Sequence, residues 1–236
     1  MFPLRDSIPS ARPPVINVII IVACVVAFFY ELLLGRYLEP FLRAYAFVPL
    51  RFFHPDLFDV GLSFNLWTMV FSMFLHGGWL HLIGNMWFLW VFGDNVEDAL
   101  GHGRFLVFYL FCGAAAALAQ AVVDPLSKVP MIGASGAIAG VLGAYFVWFP
   151  WSRIKTLVFL GFFMTMAELP APVFLVLWFV IQFFSGTLSL AAAGGAAGGV
   201  AWFAHIGGFV AGAFVAWWLR KSGRVRPAPR YFAFWE

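Results

Sequence analysis

Two residues of complementary chemistry, Ser135 and His205, lie in glycine-rich apolar stretches of the chain. A serine hydroxyl becomes an effective nucleophile when a neighbouring imidazole accepts its proton, and His205 is the only histidine in the second half of the chain. No carboxylate lies near either residue along the sequence. We therefore predict a Ser–His dyad rather than a triad in which an Asp orients the histidine.

Two further polar residues, His81 and Asn85, are four positions apart and so share one face of a helix. Their side-chain N–H groups, with the backbone N–H of Ser135, are the kind of donors that stabilise an oxyanion. This set predicts acyl transfer without a cofactor or a metal. The chain has no His-Glu dipeptide, and so no H-E-x-x-H zinc motif, and Cys24 and Cys112 are not at a metal-binding spacing.

The composition places these residues in a membrane. Of the 236 residues, 63% are apolar and 11% are charged, whereas about 25% of residues are charged in a typical soluble domain. A soluble protein of this size cannot bury so much apolar surface. The net charge of +3 does not indicate nucleic-acid binding. We predict an integral membrane protein with no nucleic-acid partner.

A membrane-crossing helix needs about 20 mostly apolar residues, and six runs reach or approach that length. We predict an all-α integral membrane protein, a bundle of six transmembrane helices with a long first outer loop. The predicted spans are Val15–Leu34, 78–92, 105–123, 134–149, 171–185 and 200–219. Two apolar runs are left over: 64–75 is interpreted as an interfacial helix, and 156–166 as a membrane-associated connection before the fifth span.

Six spans place both termini on one side of the membrane, and the distribution of basic residues tests this. Ten Lys and Arg residues lie on the side of the termini and four on the other side. We therefore predict a cytoplasmic segment over 1–14, the membrane domain over 15–219 and a basic cytoplasmic tail over 220–236. The basic residues of the tail are interpreted as an anchor of this topology.

Small residues predict how the fourth and sixth spans meet. Gly136 and Gly140 are four apart, as are Gly208 and Gly212, and this small-xxx-small spacing lets transmembrane helices approach closely. Close approach would bring the candidate nucleophile and base together, since both lie near the same end of their spans. The glycine-rich stretch 186–199 is either a simple linker or a movable cover over a site.

Three motifs resemble those of the rhomboid family of intramembrane serine proteases: HGGWLHLIGNMWFLWVFGDNVED at 76–98, GASGAIAG at 133–140 and AHIGGFVAG at 204–212. The resemblance extends over about 15–219. It implies the following roles: Ser135 as nucleophile, His205 as general base, Asn85 and His81 at the oxyanion site, and His76, Gly133 and Gly136 as support for the site.

The resemblance also implies a fold and an activity. We expect a helical bundle with a water-accessible cavity that opens outward, and cleavage of single-span membrane proteins at or just within the outer leaflet. The fifth span and the stretch 186–199 would act as gate and cap. The six-span core resembles the bacterial branch, so we expect a bacterial inner membrane, with lipid as a partner and with one copy of the chain sufficient to form the site.

Two positions depart from the family pattern. Some bacterial members carry a tyrosine one turn after the nucleophile, against which the catalytic histidine stacks, and this chain has Ala139 there. Trp202, Phe203 and Phe209 are candidates to replace it. The Trp-Arg pair often found in the long first loop is also absent between Gly35 and Asn65.

Two other classes of protein remain open. A rhomboid-like protein that binds membrane clients without cutting them would usually lack the serine or the histidine, and this chain has both. A transporter or channel would carry charged residues along a path through several spans. The acidic residues here are instead expected at span ends, within reach of solvent. They are Glu31, Asp94, Glu97, Asp98 and Asp124.

Overall fold

A helix lies over each of the six predicted spans, because lipid offers no partners for backbone N–H and C=O groups and a helix pairs them within one segment. The structure, a computed structural model, describes residues 2–160, 163–192 and 201–225. Within them the α-helices are α1 (Val15–Leu34), α2 (Leu38–Tyr45), α3 (Pro49–Phe53), α4 (Leu62–Phe71), α5 (Trp79–Leu100), α6 (His102–Val123), α7 (Ser135–Trp148), α8 (Ala171–Ala192) and α9 (Trp202–Lys221). The predicted helical membrane bundle is confirmed.

Three of the described helical segments are long and apolar enough to cross a membrane: Val15–Tyr45, α6 and α9. The helical segment Leu62–Phe74 and helix α5 meet at an angle of 87°. If this bent pair crosses the membrane as a single span, it is a fourth candidate span. α7 has only 14 residues. It packs against α5, α6, α8 and α9, so its surroundings are protein rather than lipid. Helices α1, α5, α6, α7, α8 and α9 lie where the six spans were predicted, and six separate crossings stay a prediction.

A buried arginine organises the long loop between α1 and α4. The guanidinium of Arg51 donates to the carbonyls of Arg43 at 3.0 Å, Ala44 at 2.8 Å and Ala46. The carbonyl of Arg51 accepts a hydrogen bond from the side-chain amide of Asn65 at 3.3 Å. These hydrogen bonds tie Arg51 to the C-terminal end of α2 and to α4, so the loop has an internal anchor although it lacks the Trp-Arg pair.

The segment after α7 is a β-hairpin, which the interpretation of 156–166 as a membrane-associated connection did not foresee. Strands β2 (Arg153–Leu160) and β3 (Phe163–Pro170) pair antiparallel, and the N-terminal strand β1 (Phe2–Asp6) pairs antiparallel with β2. Along β2, Ile154 and Thr156 are buried while their neighbours are more exposed. This period of two is typical of a strand. The length of an apolar run, from which the spans were predicted, does not reveal such a period.

Buried polar contacts tie the N-terminal strand to one end of the bundle. The carboxylate of Asp6 accepts hydrogen bonds from the Tyr145 hydroxyl at 2.5 Å and the Asn95 amide at 2.7 Å.

A second buried carboxylate, that of Glu97 on α5, holds the start of α1. It accepts hydrogen bonds from two backbone N–H groups in the first turn of α1 at 2.9 and 2.7 Å, where a helix favours an anion. The expectation that solvent reaches Glu31 and Glu97 is wrong, since each is 1% exposed.

Two predicted segments fall partly outside the described residues. Of the candidate cover 186–199, residues 186–192 continue the backbone of α8, and 193–199 lie outside the described ranges. Of the predicted basic tail, 220–225 are described and 226–236 are not.

Candidate active site

The central helix α7 begins at Ser135, directly after a turn that requires glycine. Gly133 has a φ of 119°, which a residue with a side chain rarely adopts, and its N–H donates to the carbonyl of Ser72 at 2.9 Å. Ser135 then takes the first helical position. Its backbone N–H therefore has no acceptor within the helix and is available as a donor.

The structure brings Ser135 and His205 together. The Oγ atom of Ser135 lies 2.8 Å from Nε2 of His205, which is a hydrogen-bond distance. His205 is 7% exposed. With the serine hydroxyl donating to Nε2, the imidazole is placed to accept the proton when the oxygen attacks an electrophile.

Close crossing of α7 and α9 makes this contact possible. A Cβ atom at Gly208 would overlap the carbonyl oxygen of Gly136, and one at Gly212 would overlap that of Gly140. A Cβ at Gly136 would lie 2.5 Å from the Cβ of Ala116 on α6. Glycine alone permits these backbone distances. The structure thus has the close helix crossing that the small-residue spacing predicts.

Two indole rings flank His205. The ring of Trp202 lies edge-on to the imidazole with centroids 6.0 Å apart, and the ring of Trp178 lies 6.1 Å away at an angle of 38°. Phe209 packs behind Trp178 at 6.4 Å. Trp202 was among the sequence candidates for this role. Trp178 was missed, because it comes from α8 and has no spacing relation to Ala139 or to His205.

His81 and Asn85 lie on the face of α5 next to Gly133. The N–H of Gly77 donates to Nδ1 of His81 at 3.3 Å, so the neutral ring carries its proton on Nε2. A Cβ at Gly133 would lie 2.7 Å from this Nε2 and 3.7 Å from Nδ2 of Asn85. Both donors therefore lie beside the turn that precedes the serine.

The side-chain amide of Asn85 is an unpaired donor. Its Nδ2 atom is buried and has no acceptor among the described residues. Leaving a buried donor unpaired costs about 1 to 3 kcal/mol, and such groups call for an explanation. An oxyanion bound beside Ser135 would supply the missing acceptor.

His76 supports the site from the break before α5. Its ring lies edge to face with that of His81 at 5.2 Å. Its backbone N–H donates to both oxygens of Glu31 at 3.1 and 3.2 Å, and its Nδ1 lies 3.1 Å from the carbonyl of Phe74. Glu31, a buried carboxylate on α1, thus fixes the loop that carries His76. Sequence reasoning assigned Glu31 to a solvated span end and missed this role.

A small cavity of about 40 Å³ adjoins the serine. Ser72, Gly133, Ser135 and Ala204 contribute to its lining. A buried water needs roughly 10–15 Å³ on this measure, so the cavity has room for water beside the candidate nucleophile. Among residues 2–160, 163–192 and 201–225, no three His, Cys, Asp or Glu side chains are grouped closely enough to hold a metal ion.

The fold and the site together define a membrane protein whose serine and histidine meet at the start of two crossing helices, and comparison with known proteins identifies its family. Residues 63–222 match the Rhomboid domain, and the chain belongs to the rhomboid family. This match includes all of the candidate site residues on α5, α7 and α9.

Relatives occur in bacteria, yeast and plants. The yeast (Saccharomyces cerevisiae) protein "Rhomboid protein 1, mitochondrial" is 30% identical over 177 residues, which cover 70% of this chain and 47% of the relative. "Rhomboid-like protein 11, chloroplastic" of Arabidopsis thaliana is 30% identical over 164 residues, 67% of this chain and 55% of the relative. "Rhomboid protease GluP" of Bacillus subtilis is 44% identical over 78 residues, 33% and 15% respectively. The chain spans about half or less of the length of these relatives.

Proposed function

We propose that this chain is an intramembrane serine endopeptidase that cleaves single-span membrane proteins at or just within the outer leaflet. One observation carries the proposal: the 2.8 Å contact between Ser135 Oγ and His205 Nε2, next to a buried amide donor of Asn85 that has no acceptor in the part of the chain that the structure describes. The membership in the rhomboid family and the relatives named as proteases support the same activity.

The proposed reaction has two halves. Ser135 Oγ attacks the scissile carbonyl while His205 accepts the hydroxyl proton, and the N–H groups of Asn85, His81 and Ser135 donate to the oxyanion. His205 then gives its proton to the leaving amine, and the acyl-enzyme forms. A water molecule loses a proton to His205, attacks the acyl carbon and releases the new carboxyl end as Ser135 regains its proton. No step requires a cofactor or a metal.

The placement of the basic residues supports the proposed orientation. The described cations expected on the inner side lie on the N-terminal segment, the sheet, the start of α6 and the end of α9. Asp6 contacts Tyr145 near the end of α7, whereas Ser135 begins that helix. The site therefore lies at the end of the bundle away from most of the positive charge, as expected for cytoplasmic termini in a bacterial inner membrane.

A substrate must reach the dyad past neighbouring helices. α8 packs against α7 and α9, and its Trp178 lies beside His205. We assign α8 the role of gate, with the stretch 186–199 as cap. All the proposed site residues come from one copy of the chain, so a monomer suffices for the chemistry.

The test uses purified protein with a panel of single-span reporter substrates that carry small residues near their outer ends. Mass spectrometry of the products locates any cut. The intact chain should cleave at one position, Ser135→Ala and His205→Ala should not, and Asn85→Ala should be slower by about 10 to 10³-fold. Ser222→Ala is the matched control, since this serine is exposed and its hydroxyl donates to the carbonyl of Leu219 at the end of its own helix, far from Ser135.

A fluorophosphonate probe distinguishes a protein without a reactive serine from a protease whose substrate is missing from the panel, because the probe reacts with an activated serine in the absence of substrate. Labelling should occur in the intact chain and in Ser222→Ala, and not in Ser135→Ala. Full cleavage by folded Ser135→Ala would contradict the proposal. If folded protein neither cleaves the panel nor reacts with the probe, the protease proposal is contradicted and the alternative, a rhomboid-like protein that binds membrane clients without cutting them, is favoured.

A further inference from the structure

A second concave site lies at the other end of α9, between α6 and α9. It is a groove of about 800 Å³. The residues that line it are Leu100, Gly103, Arg104, Val107, Phe108, Phe111, Val215, Leu219 and Arg224. Leu219 follows His205 by fourteen residues on α9, about 21 Å along the helix axis. The groove is therefore distinct from the candidate active site and takes no part in the proposed reaction.

The walls of the groove are apolar and open. Gly103, Val107 and Phe111 recur every four residues and form one face of α6, and Val215 and Leu219 repeat the spacing on α9. Val107 is 68% exposed and Phe111 51%. The wall from 103 to 111 is about 12 Å long, most of the ~15 Å depth of one leaflet of hydrocarbon. These dimensions suit an acyl chain that lies along the helices.

The groove carries positive charge at one end only. Arg104 lies in the first turn of α6, and Arg224 follows the last turn of α9. Both are exposed, and neither forms an ion pair among the described residues. The guanidinium of Arg224 lies 4.9 Å from the ring centroid of Trp218, and Trp favours the boundary between hydrocarbon and water. Arginine binds phosphate through parallel N–H donors.

We propose that this groove is a binding site for one anionic glycerophospholipid, with its phosphate at Arg104 and Arg224 and one acyl chain between α6 and α9. The charge of the two arginines favours an anionic headgroup over a zwitterionic one. An anionic lipid brings a net negative charge to the two arginines, whereas a zwitterionic lipid brings its own ammonium group to the same place. Basic pockets between transmembrane helices are known to bind anionic headgroups in this way. A lipid can fill the apolar part of the groove with an acyl chain, whereas a free phosphate ion would contact the arginines alone.

Native mass spectrometry tests the site on the full chain, stripped of lipid in a neutral detergent. Phosphatidylglycerol and phosphatidylcholine with the same acyl chains are titrated separately. At about 1 kcal/mol for each arginine, the anionic lipid should bind about 30-fold more tightly, with one lipid retained per chain. Inorganic phosphate at millimolar concentration should not displace it.

Matched variants locate the site. Arg104→Gln with Arg224→Gln should abolish the preference for phosphatidylglycerol, while Lys221→Gln should keep it. Lys221 is an exposed cation at the same end of α9, but its ammonium lies over Trp217 and it is not among the groove residues. Unfolding temperatures in phosphatidylcholine verify that all variants are folded.

Three outcomes would overturn the proposal. The first is equal affinity for the two lipids in the intact chain. The second is displacement of the lipid by inorganic phosphate, which would indicate a simple anion site. The third is a preference for phosphatidylglycerol that survives in the folded double variant, which would place the lipid elsewhere on the protein.

Discussion

Replacement of Gly208 by alanine tests whether the close helix crossing holds the candidate dyad together. The added Cβ would overlap the carbonyl oxygen of Gly136 and lie 3.0 Å from its carbonyl carbon. Gly136 directly follows Ser135, and His205 is three residues before Gly208 on α9. The perturbation therefore acts on the two helices at the level of the dyad without touching either reacting side chain.

The size of the effect follows from these contacts. To bring the added Cβ to an ordinary distance from the carbonyl oxygen of Gly136, α7 and α9 must separate by roughly 1 Å. The helices themselves must move, because the clashing atom belongs to the backbone and not to a flexible side chain. A displacement of about 1 Å in a positioned pair costs about 10²-fold in rate. Overpacking costs about 1 to 3 kcal/mol of stability, and the better helix propensity of alanine offsets up to about 1 kcal/mol of that.

Two measurements check the result. Initial rates of reporter cleavage should fall about 10²-fold, and unfolding in detergent should shift to lower temperature or denaturant concentration. Gly84→Ala is the control, since a Cβ there meets nothing within 4 Å. It should keep its activity and unfold no more easily than the parent. If Gly208→Ala kept both full activity and full stability, the dyad would not depend on this crossing, and the inferred backbone contact would be wrong.

Three further predictions concern groups that hold the site from a distance. Burial raises the pKa of the Asp6 carboxyl to about 7, so the folded protein retains a proton that the unfolded chain releases, and the free energy of unfolding should fall as pH rises from about 4 to about 7. Asp6→Asn, which keeps an acceptor for Tyr145, should flatten that slope in denaturant titrations, whereas an unchanged slope would assign it to another group. Trp178→Ala should lower kcat about tenfold with little change in KM, because the indole positions His205 rather than substrate, and Trp178→Phe should lie between; an effect on KM alone would contradict this. Arg51→Met removes the donors to three loop carbonyls and should cost about 1 to 3 kcal/mol of stability, seen as a lower unfolding temperature and faster proteolysis of the loop; a variant that unfolds like the parent would show that the anchor is dispensable.

The helical bundle and the meeting of Ser135 with His205 were accessible from the sequence for physical reasons. Apolar run length is a direct signal of helices in lipid. Glycines spaced by four report a close crossing, and polar groups are rare enough in spans to stand out. These signals are local in sequence, so no knowledge of the three-dimensional arrangement is needed to detect them.

The features that escaped prediction depend on contacts between distant segments. Trp178 reaches His205 from another helix, and no periodicity links the two. In the sequence, Arg51 is one of the four basic residues counted on the side away from the termini, and nothing marks it as an anchor, because its acceptors are backbone carbonyls that every residue has. The hairpin was not predicted because apolar residues such as Ile154 and Leu157 occur in helices and in strands alike. Its pairing with the N-terminal strand, such as that of Phe2 with Leu157, joins segments that are far apart in the sequence.

The contacts suggest why the two ends of the bundle differ. At the end away from the dyad, Tyr145 is bonded to Asp6, and the indole N–H of Trp148 donates to the carbonyl of Ala216 at 3.0 Å, so α7, α9 and the N-terminal strand are fixed to one another. At the dyad end, the proposed gate α8 contributes Trp178 beside His205. Movement of α8 to admit a substrate would therefore also remove one support of the imidazole. On this reasoning the catalytic geometry is complete only after the gate has closed again on its substrate, and variants that hold α8 open should bind substrate more readily yet cleave it more slowly.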